Sequence, residues 1–230
     1  MDLSALTERH GLPAGSAARL GALLWALDAE PDPHTSIRPG EDAVRLHLAD
    51  SLSGLEVQEL RAAGRIADIG AGAGFPGLAL AVALPDAQVD LVESTGRKCA
   101  VIERLAAAAE LENTRVVHAR AEEHAAAGGA GAYDAVTARA VASLAVVLEY
   151  AAPLLREGGV LMSWKGRRDA GEERAASAAA DVLGLELAEV RAVTPFPDAR
   201  DRHLHVYSKV KPTPERFPRR PGMAAKRPLG

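Results

Sequence analysis

Hydrophobic positions recur along this chain in two rhythms. Leu20, Leu23, Leu24 and Leu27 return at helical spacing, and the break at Pro13 and Gly15 divides residues 3–30 into two predicted short helices. A Pro31-Asp32-Pro33-His34 linker follows, and the stretch from Arg38 to Leu60 resumes a helical pattern, with Pro39 suited to a first turn. From Arg65 the rhythm changes. Short apolar runs predict strands over 66–69, 88–93, 115–119, 133–138 and 160–164, with helices over 78–84, 97–110, 122–126, 143–155 and 169–183. Two last strands, 186–193 and 203–210, have no helix between them. Alternating strands and helices indicate a parallel sheet, and the closing hairpin adds one antiparallel strand. The expected fold is therefore α/β, a Rossmann-like, seven-stranded and mostly parallel sheet. It divides into an N-terminal helical extension (1–60), a main domain (61–210) and a C-terminal tail (211–230).

The strongest local pattern is Asp68-Ile69-Gly70-Ala71-Gly72-Ala73-Gly74-Phe75-Pro76-Gly77, a strand end running through glycines into a helix. Glycines there let a ligand approach the backbone, because no Cβ intervenes. Glu93 ends the next strand, where its carboxylate can accept hydrogen bonds from both hydroxyls of a ribose. Gly72, Gly74 and Gly77 also fit the dinucleotide fingerprint. Two features favour a different nucleoside ligand, S-adenosylmethionine. Pro76 removes a backbone donor that a pyrophosphate would use, and Asp68 would repel a diphosphate but suits the ammonium of a methionine moiety. Gly70, Gly72, Gly74 and Glu93 are thus the candidate cofactor residues. Ala121 and Glu122 follow the third strand, where adenine contacts lie in such folds; Glu122 reads equally as an acid in a first helical turn.

Ligands of open α/β sheets sit beyond the carboxyl ends of the strands. The fourth strand runs out through Thr137-Ala138-Arg139-Ala140 and the fifth through Ser163-Trp164-Lys165-Gly166-Arg167-Arg168, so both edges present cations. The Asn/Asp-Pro-Pro-aromatic motif of adenine-amino methylation is absent after strand four. Pyrimidine C5 methylation needs a cysteine nucleophile, and Cys99, the only cysteine, falls in a predicted helix after strand two, where it reads as a small buried hydrophobe. Guanine N7 fits better. Its lone pair needs no base to free it, and with O6 it forms the edge that Arg or Lys reads most often. Arg139 and Lys165 are the candidate catalytic residues, acting by positioning.

Composition narrows the picture. The 230 residues suffice for one substantial domain, and no apolar run is long enough to span a membrane. One cysteine excludes disulfide frameworks and cysteine-rich zinc sites, and no metal site is expected. The start lacks the features of a signal peptide, so a cytoplasmic protein is expected; a monomer is expected as well. The net charge of −4 hides a tail in which Lys209, Lys211, Arg216, Arg219, Arg220, Lys226 and Arg227 face one acid, Glu215. Such a tail reads either as a polyanion-binding segment or as a solvated end.

These residues together resemble the ribosomal small-subunit methyltransferase G family, also called glucose-inhibited division protein B. The likeness is carried by residues 68–77 with their Phe-Pro-Gly, Leu91-Val92-Glu93-Ser94, Gly96-Arg97-Lys98, Arg120-Ala121-Glu122-Glu123, residues 133–140, Trp164-Lys165-Gly166, Arg202-His203-Leu204 and the Pro- and Arg-rich tail. The resemblance implies a class I S-adenosylmethionine-dependent methyltransferase acting on a guanine N7 in the decoding-region hairpin of bacterial 16S rRNA. It further implies cofactor contacts at Gly70, Phe75, Ala121, Glu122 and Arg139, and rRNA contact by the tail. The chain departs from the family at His34-Thr35-Ser36-Ile37, where Asn-Leu-Thr is usual, and at Leu46-His47-x-x-Asp50-Ser51, where the family's Arg-His-x-x-Asp-Ser is displaced. His47 and Asp50, one helical turn apart, either order the substrate entrance or cap and pack. Methylation of another RNA or a small molecule, and a non-catalytic nucleotide-binding module, stay open as alternatives.

Overall fold

A computed structural model describes residues 2–37 and 39–230. The helices α1 (Leu3–His10) and α2 (Ser16–Ala29) are separated by Gly11, whose φ of 62° ends α1. Leu6, Leu20, Leu23 and Leu27 form their buried stripe.

The stretch expected as one helix from Arg38 is instead a broken path, and Arg38 itself lies outside the described residues. It comprises α3 (Glu41–Ala43), a π-helical stretch (Val44–Ala49), α4 (Asp50–Leu52), a 3-10 turn (Ser53–Glu56) and α5 (Gln58–Arg61). Two serines account for part of the irregularity. Ser51 Oγ bonds back to the His47 carbonyl and Ser53 Oγ to that of Asp50 (2.6 Å), competing with the regular ladder. Leu48, Leu52, Leu55 and Leu60 still turn inward, so the path stays bound to the core.

The strands are β1 (Arg65–Ile69), β2 (Gln88–Glu93), β3 (Thr114–His118), β4 (Tyr133–Arg139), β5 (Leu155–Lys165), β6 (Leu185–Ala192) and β7 (His203–Lys209). Their order is β3-β2-β1-β4-β5-β7-β6, with β7 antiparallel to both neighbours and the remaining pairs parallel. The connecting helices are α6 (Gly77–Ala83), α7 (Gly96–Ala108), α8 (Ala121–His124), α9 (Leu144–Ala151) and α10 (Ala170–Leu183). One face of the sheet carries α1, α2, α6 and α7, the other α8, α9 and α10, each over its own apolar layer. The helix expected over 143–155 stops at Ala151: the chain turns at Ala152–Leu154, through Pro153, and Leu155 already pairs with Tyr133 as part of β5.

The tail packs against the body. Phe217 is buried in the α8–α10 layer, Arg219 forks onto the buried Glu149, and α11 (Met223–Lys226) follows Gly222.

Candidate active site

Beyond Ile69 the chain turns on Gly70, Gly72 and Gly74, all with φ between 60° and 94°, the left-handed region. The Gly70 amide donates to the Val92 carbonyl at 2.8 Å, folding the turn over the end of β2. A Cβ built on Gly72 would have only the Gly70 carbonyl within 4 Å, at 3.8 Å, so the space beside it is open. Gly77 is constrained from the opposite side: a Cβ there would stand 2.8 Å from Asp68 Oδ2 and 2.9 Å from Leu91 Cδ2.

Asp68 turns away from the cleft. Its Oδ2 accepts from the Gly77 amide (2.9 Å) and its Oδ1 from the Thr137 hydroxyl (2.8 Å), tying β1 to β4 and to the start of α6. Burial pushes its carboxyl up to about 6. The expectation that Asp68 meets a ligand ammonium is therefore corrected: Asp68 is fully buried and does not line the cleft, so it is an internal tie between β1, β4 and α6.

Glu93 holds the turn from β2. Its Oε2 accepts from the Gly72 amide at 3.1 Å and its Oε1 from the Thr95 amide at 2.8 Å. A carboxylate offers about four lone-pair directions, so acceptor capacity is left for a ligand. Gly74 faces inward on Leu78 and Ile102. Ala121 and Glu122 begin α8 one strand further along, and Glu122 Oε1 accepts from the Gly222 amide of the tail at 2.9 Å. Cys99 is buried, its thiol pushed up by burial and donating to the Glu93 carbonyl.

A cleft of about 610 Å³ opens at the carboxyl ends of β1, β4 and β5. Gly70, Gly72 and Phe75 lie on one side of it, Arg139 and Lys165 on another, and the Thr35–Ile37 segment with His47 and Asp50 on a third. The structure thus gathers Gly70, Gly72, Phe75, Arg139 and Lys165, with Glu93 directly behind the turn. Gly74, Glu93, Ala121 and Glu122 do not line this cavity among the described residues; Glu93 meets it only through the Gly72 amide that it holds.

Arg139 reaches across to the N-terminal extension. Its Nη1 donates to the Leu46 carbonyl and to Asp50 Oδ2, both at 2.9 Å. Trp164, at the end of β5, donates its indole N–H to the Asp50 carbonyl at 2.8 Å. Lys165 Nζ pairs with Glu172 Oε1 at 2.6 Å, and the same oxygen accepts from the Leu144 amide at 2.8 Å, fixing the start of α9. The His47 ring stacks on Phe75 with centroids 4.6 Å apart. Arg202 and Trp164, to which the sequence assigned no role, also line the cleft; the signals for them were their place beside strand ends and their part in the family resemblance.

Burial, with the Arg139 charge, lowers His47 to about 4, and burial lowers His10 similarly. Both take up a proton near 6.5 in the unfolded chain but only near 4 when folded, so stability falls as pH drops through that window. Asp68 acts oppositely, gaining stability as pH falls from about 6 toward its ordinary 3.8. His47→Gln is expected to narrow the loss of urea midpoint between pH 7 and pH 5; a loss as large as in the parent chain would refute a neutral buried imidazole.

Comparison with known proteins bears directly on this cleft. The sequence profile of the family described as rRNA small subunit methyltransferase G matches residues 34–204. The chain belongs to that family. It is 43% identical over 196 residues to the ribosomal RNA small subunit methyltransferase G of Rubrobacter xylanophilus, covering 84% of this chain and 75% of that one. To the protein of the same name from Chloroflexus aggregans it is 44% identical over 199 residues, covering 85% and 82%. Among solved structures, Aeropyrum pernix fibrillarin with bound S-adenosyl-L-methionine aligns with a TM-score of 0.55 at 20% identity, covering 69% of this chain and 72% of that one. A 16S rRNA adenine methyltransferase with S-adenosylmethionine, from Catenulisporales acidiphilia, aligns with a TM-score of 0.52 at 20% identity over 67% and 89%. At those identities the structures attest the fold alone, the seven-stranded methyltransferase sheet. The family match reaches back to residue 34, so it takes in the cleft wall that precedes the sheet.

Proposed function

We propose that this chain transfers a methyl group from S-adenosylmethionine to N7 of a guanine in the decoding-region hairpin of 16S rRNA. The observation that carries the reading is the cleft itself: an open glycine turn clamped by Glu93 on one side, and strand ends bearing Arg139 and Lys165 on the other. The donor fits the turn, because a Cβ is missing at Gly72 where the backbone faces open space, and Glu93 retains lone pairs for ribose hydroxyls. When bound, S-adenosylmethionine supplies a methyl carbon on a positively charged sulfur.

The chain's own residues supply position. Gly72 leaves the backbone bare for close approach, Gly70 makes room for the Val141 side chain, whose Cγ2 would stand 2.9 Å from a Cβ there, and the stacked His47 and Phe75 rings form a wall of the cleft. His47, lowered to about 4, is neutral near pH 7 and adds no charge to that wall. Of Arg139, only Nη1 is taken up within the protein among the described residues, leaving Nε and Nη2 for ligand oxygens. Lys165 is held at one place by Glu172. Guanine N7 needs no proton removed, and Asp50, the one carboxylate in the cleft wall among the described residues, is paired with Arg139 rather than free to act as a base. Alignment of the attacking lone pair can contribute several kcal/mol on its own, roughly 7–11 in the best intramolecular cases. We take the monomer as the acting unit, with residues 61–210 as catalytic domain and 1–60 as a wall of its site; in support, Gly72, Phe75, Arg139, Lys165 and Asp50 converge on the cleft from a single chain.

The test is methylation of deproteinised 16S rRNA and of small ribosomal subunits with labelled S-adenosylmethionine, followed by mapping of the modified base. A label at guanine N7 in that hairpin is expected; a label on another base or position would overturn the assignment. Arg139→Ala is expected to lower methyl transfer by about 100-fold, the scale of losing one placed charged donor. Full activity in that variant would remove Arg139 from the reaction.

A further inference from the structure

Asp50 lies outside the sheet, yet it touches three strand ends at once. Its Oδ2 accepts from Arg139 of β4 at 2.9 Å, its backbone carbonyl from Trp164 of β5 at 2.8 Å, and its Oδ1 stands 3.8 Å from Nε of Arg202, which precedes β7. The residue is 7% exposed. The π-helical stretch before it brings the Leu46 carbonyl onto the same Arg139 nitrogen. π turns are rare and concentrate at functional sites. The balance of the group is notable: one carboxylate faces two guanidinium groups, and the buried Nε of Arg202 has no hydrogen-bond partner. A pair of cations sharing one acid keeps a net positive charge and unused donors. Without the acid they would repel each other across the cleft. A purely structural tie would need only one of the two arginines.

We propose that Asp50 is a positioning residue for methyl transfer: its carboxylate holds Arg139 and Arg202 together at the cleft wall, so that their free N–H groups meet the anionic and carbonyl oxygens of the RNA substrate. The inference rests on the proposed reaction and assigns to the N-terminal extension a role in turnover. Asp50→Asn keeps the shape and one acceptor but removes the charge. It is expected to fold, to lower kcat/KM on small ribosomal subunits by about 10- to 100-fold, and to leave the affinity for S-adenosylmethionine within about threefold. In a double-mutant cycle, Asp50→Asn with Arg139→Ala is expected to be no more than about threefold worse than the weaker single variant, because the two act as one unit. Multiplying losses, or wild-type kcat and KM in Asp50→Asn, would overturn the proposal.

A second readout does not depend on activity. In arginine side-chain nitrogen spectra, with Arg139 assigned by the signal lost in Arg139→Lys, a held guanidinium gives two separate Nη signals and a released one gives an average. The wild-type chain is expected to show two and Asp50→Asn one; two in both would overturn the role of Asp50. Absence of rRNA methylation by the wild-type chain would instead count against the proposed reaction, with the spectra still deciding what Asp50 does.

Discussion

Glu93→Ala is expected to weaken S-adenosylmethionine binding by about 100-fold or more in calorimetric titration. Two losses combine. The carboxylate that would take the ribose hydroxyls is gone, and the turn that leaves room for the donor loses its clamp. In the intact chain Glu93 accepts from the Gly72 and Thr95 amides, bonds to a charged acceptor worth roughly 1.5–3 kcal/mol each. In the alanine variant those amides must find water in a site where Glu93 itself is 5% exposed. Gly72, in the left-handed region and with no side chain to brace it, is then free to sample other conformations. Glu93→Gln separates the two effects. Its amide oxygen can keep one backbone donor, but its NH₂ group faces the other, so affinity is expected to fall between parent and alanine. Kinetics at saturating donor are expected to show a smaller loss, since neither Arg139 nor Lys165 contacts Glu93. Unaltered affinity in the alanine variant would remove the glycine turn and Glu93 from the donor site.

Much of the frame around this cleft is legible in the sequence. The alternation of strand and helix after Arg65, the final hairpin and the cations ending β4 and β5 follow from local rules: apolar periodicity, glycine at turns, and ligand sites at strand ends. Strand Gln88–Glu93 was located to the residue because Glu93 and Thr95 mark an abrupt change from apolar to polar. What stayed hidden depends on pairs distant in sequence. Asp68 looked like a ligand group because it precedes the glycines, yet its oxygens face Gly77 and Thr137, the latter 69 residues away. Asp50 could not be distinguished from a capping acid, since its partners Arg139 and Trp164 lie 89 and 114 residues on. Nor does helical periodicity reveal that residues 44–49 widen into a π turn, because the apolar stripe through Leu48 and Leu52 is kept on both geometries. The tail shows the same limit. Its charge density suggested a free segment or an RNA contact, while the acid that Arg219 meets lies 70 residues earlier.

That pair carries the second large effect. Arg219→Ala is expected to destabilise the chain by about 3–5 kcal/mol in urea unfolding, the range for breaking a buried ion pair from one side. Glu149 is 1% exposed, and both its oxygens are met by the Arg219 fork; without it a carboxylate is left in the α9 layer with no donor in hydrogen-bonding reach among the described residues. Arg219 also donates to the Arg227 carbonyl, so its loss loosens α11 and the Gly222 amide that meets Glu122. The double variant Glu149→Leu/Arg219→Met distinguishes pairing from packing: removing both charges is expected to recover most of the loss, since a hydrophobic pair of similar volume is often as stable as the ion pair. The same double variant bears on RNA. An arginine already held by a buried acid has little charge to offer a phosphate, so the salt dependence of rRNA binding is expected to be unchanged in it. A slope lower by about one phosphate contact, roughly 0.7–0.9 in log–log form, would show that Arg219 faces the nucleic acid after all. Of the tail's other cations, Lys209 is buried against the Leu183 carbonyl and Thr213, and burial lowers it to about 8, which leaves Lys211, Arg216, Arg220, Lys226 and Arg227 to account for any electrostatic contribution of this segment.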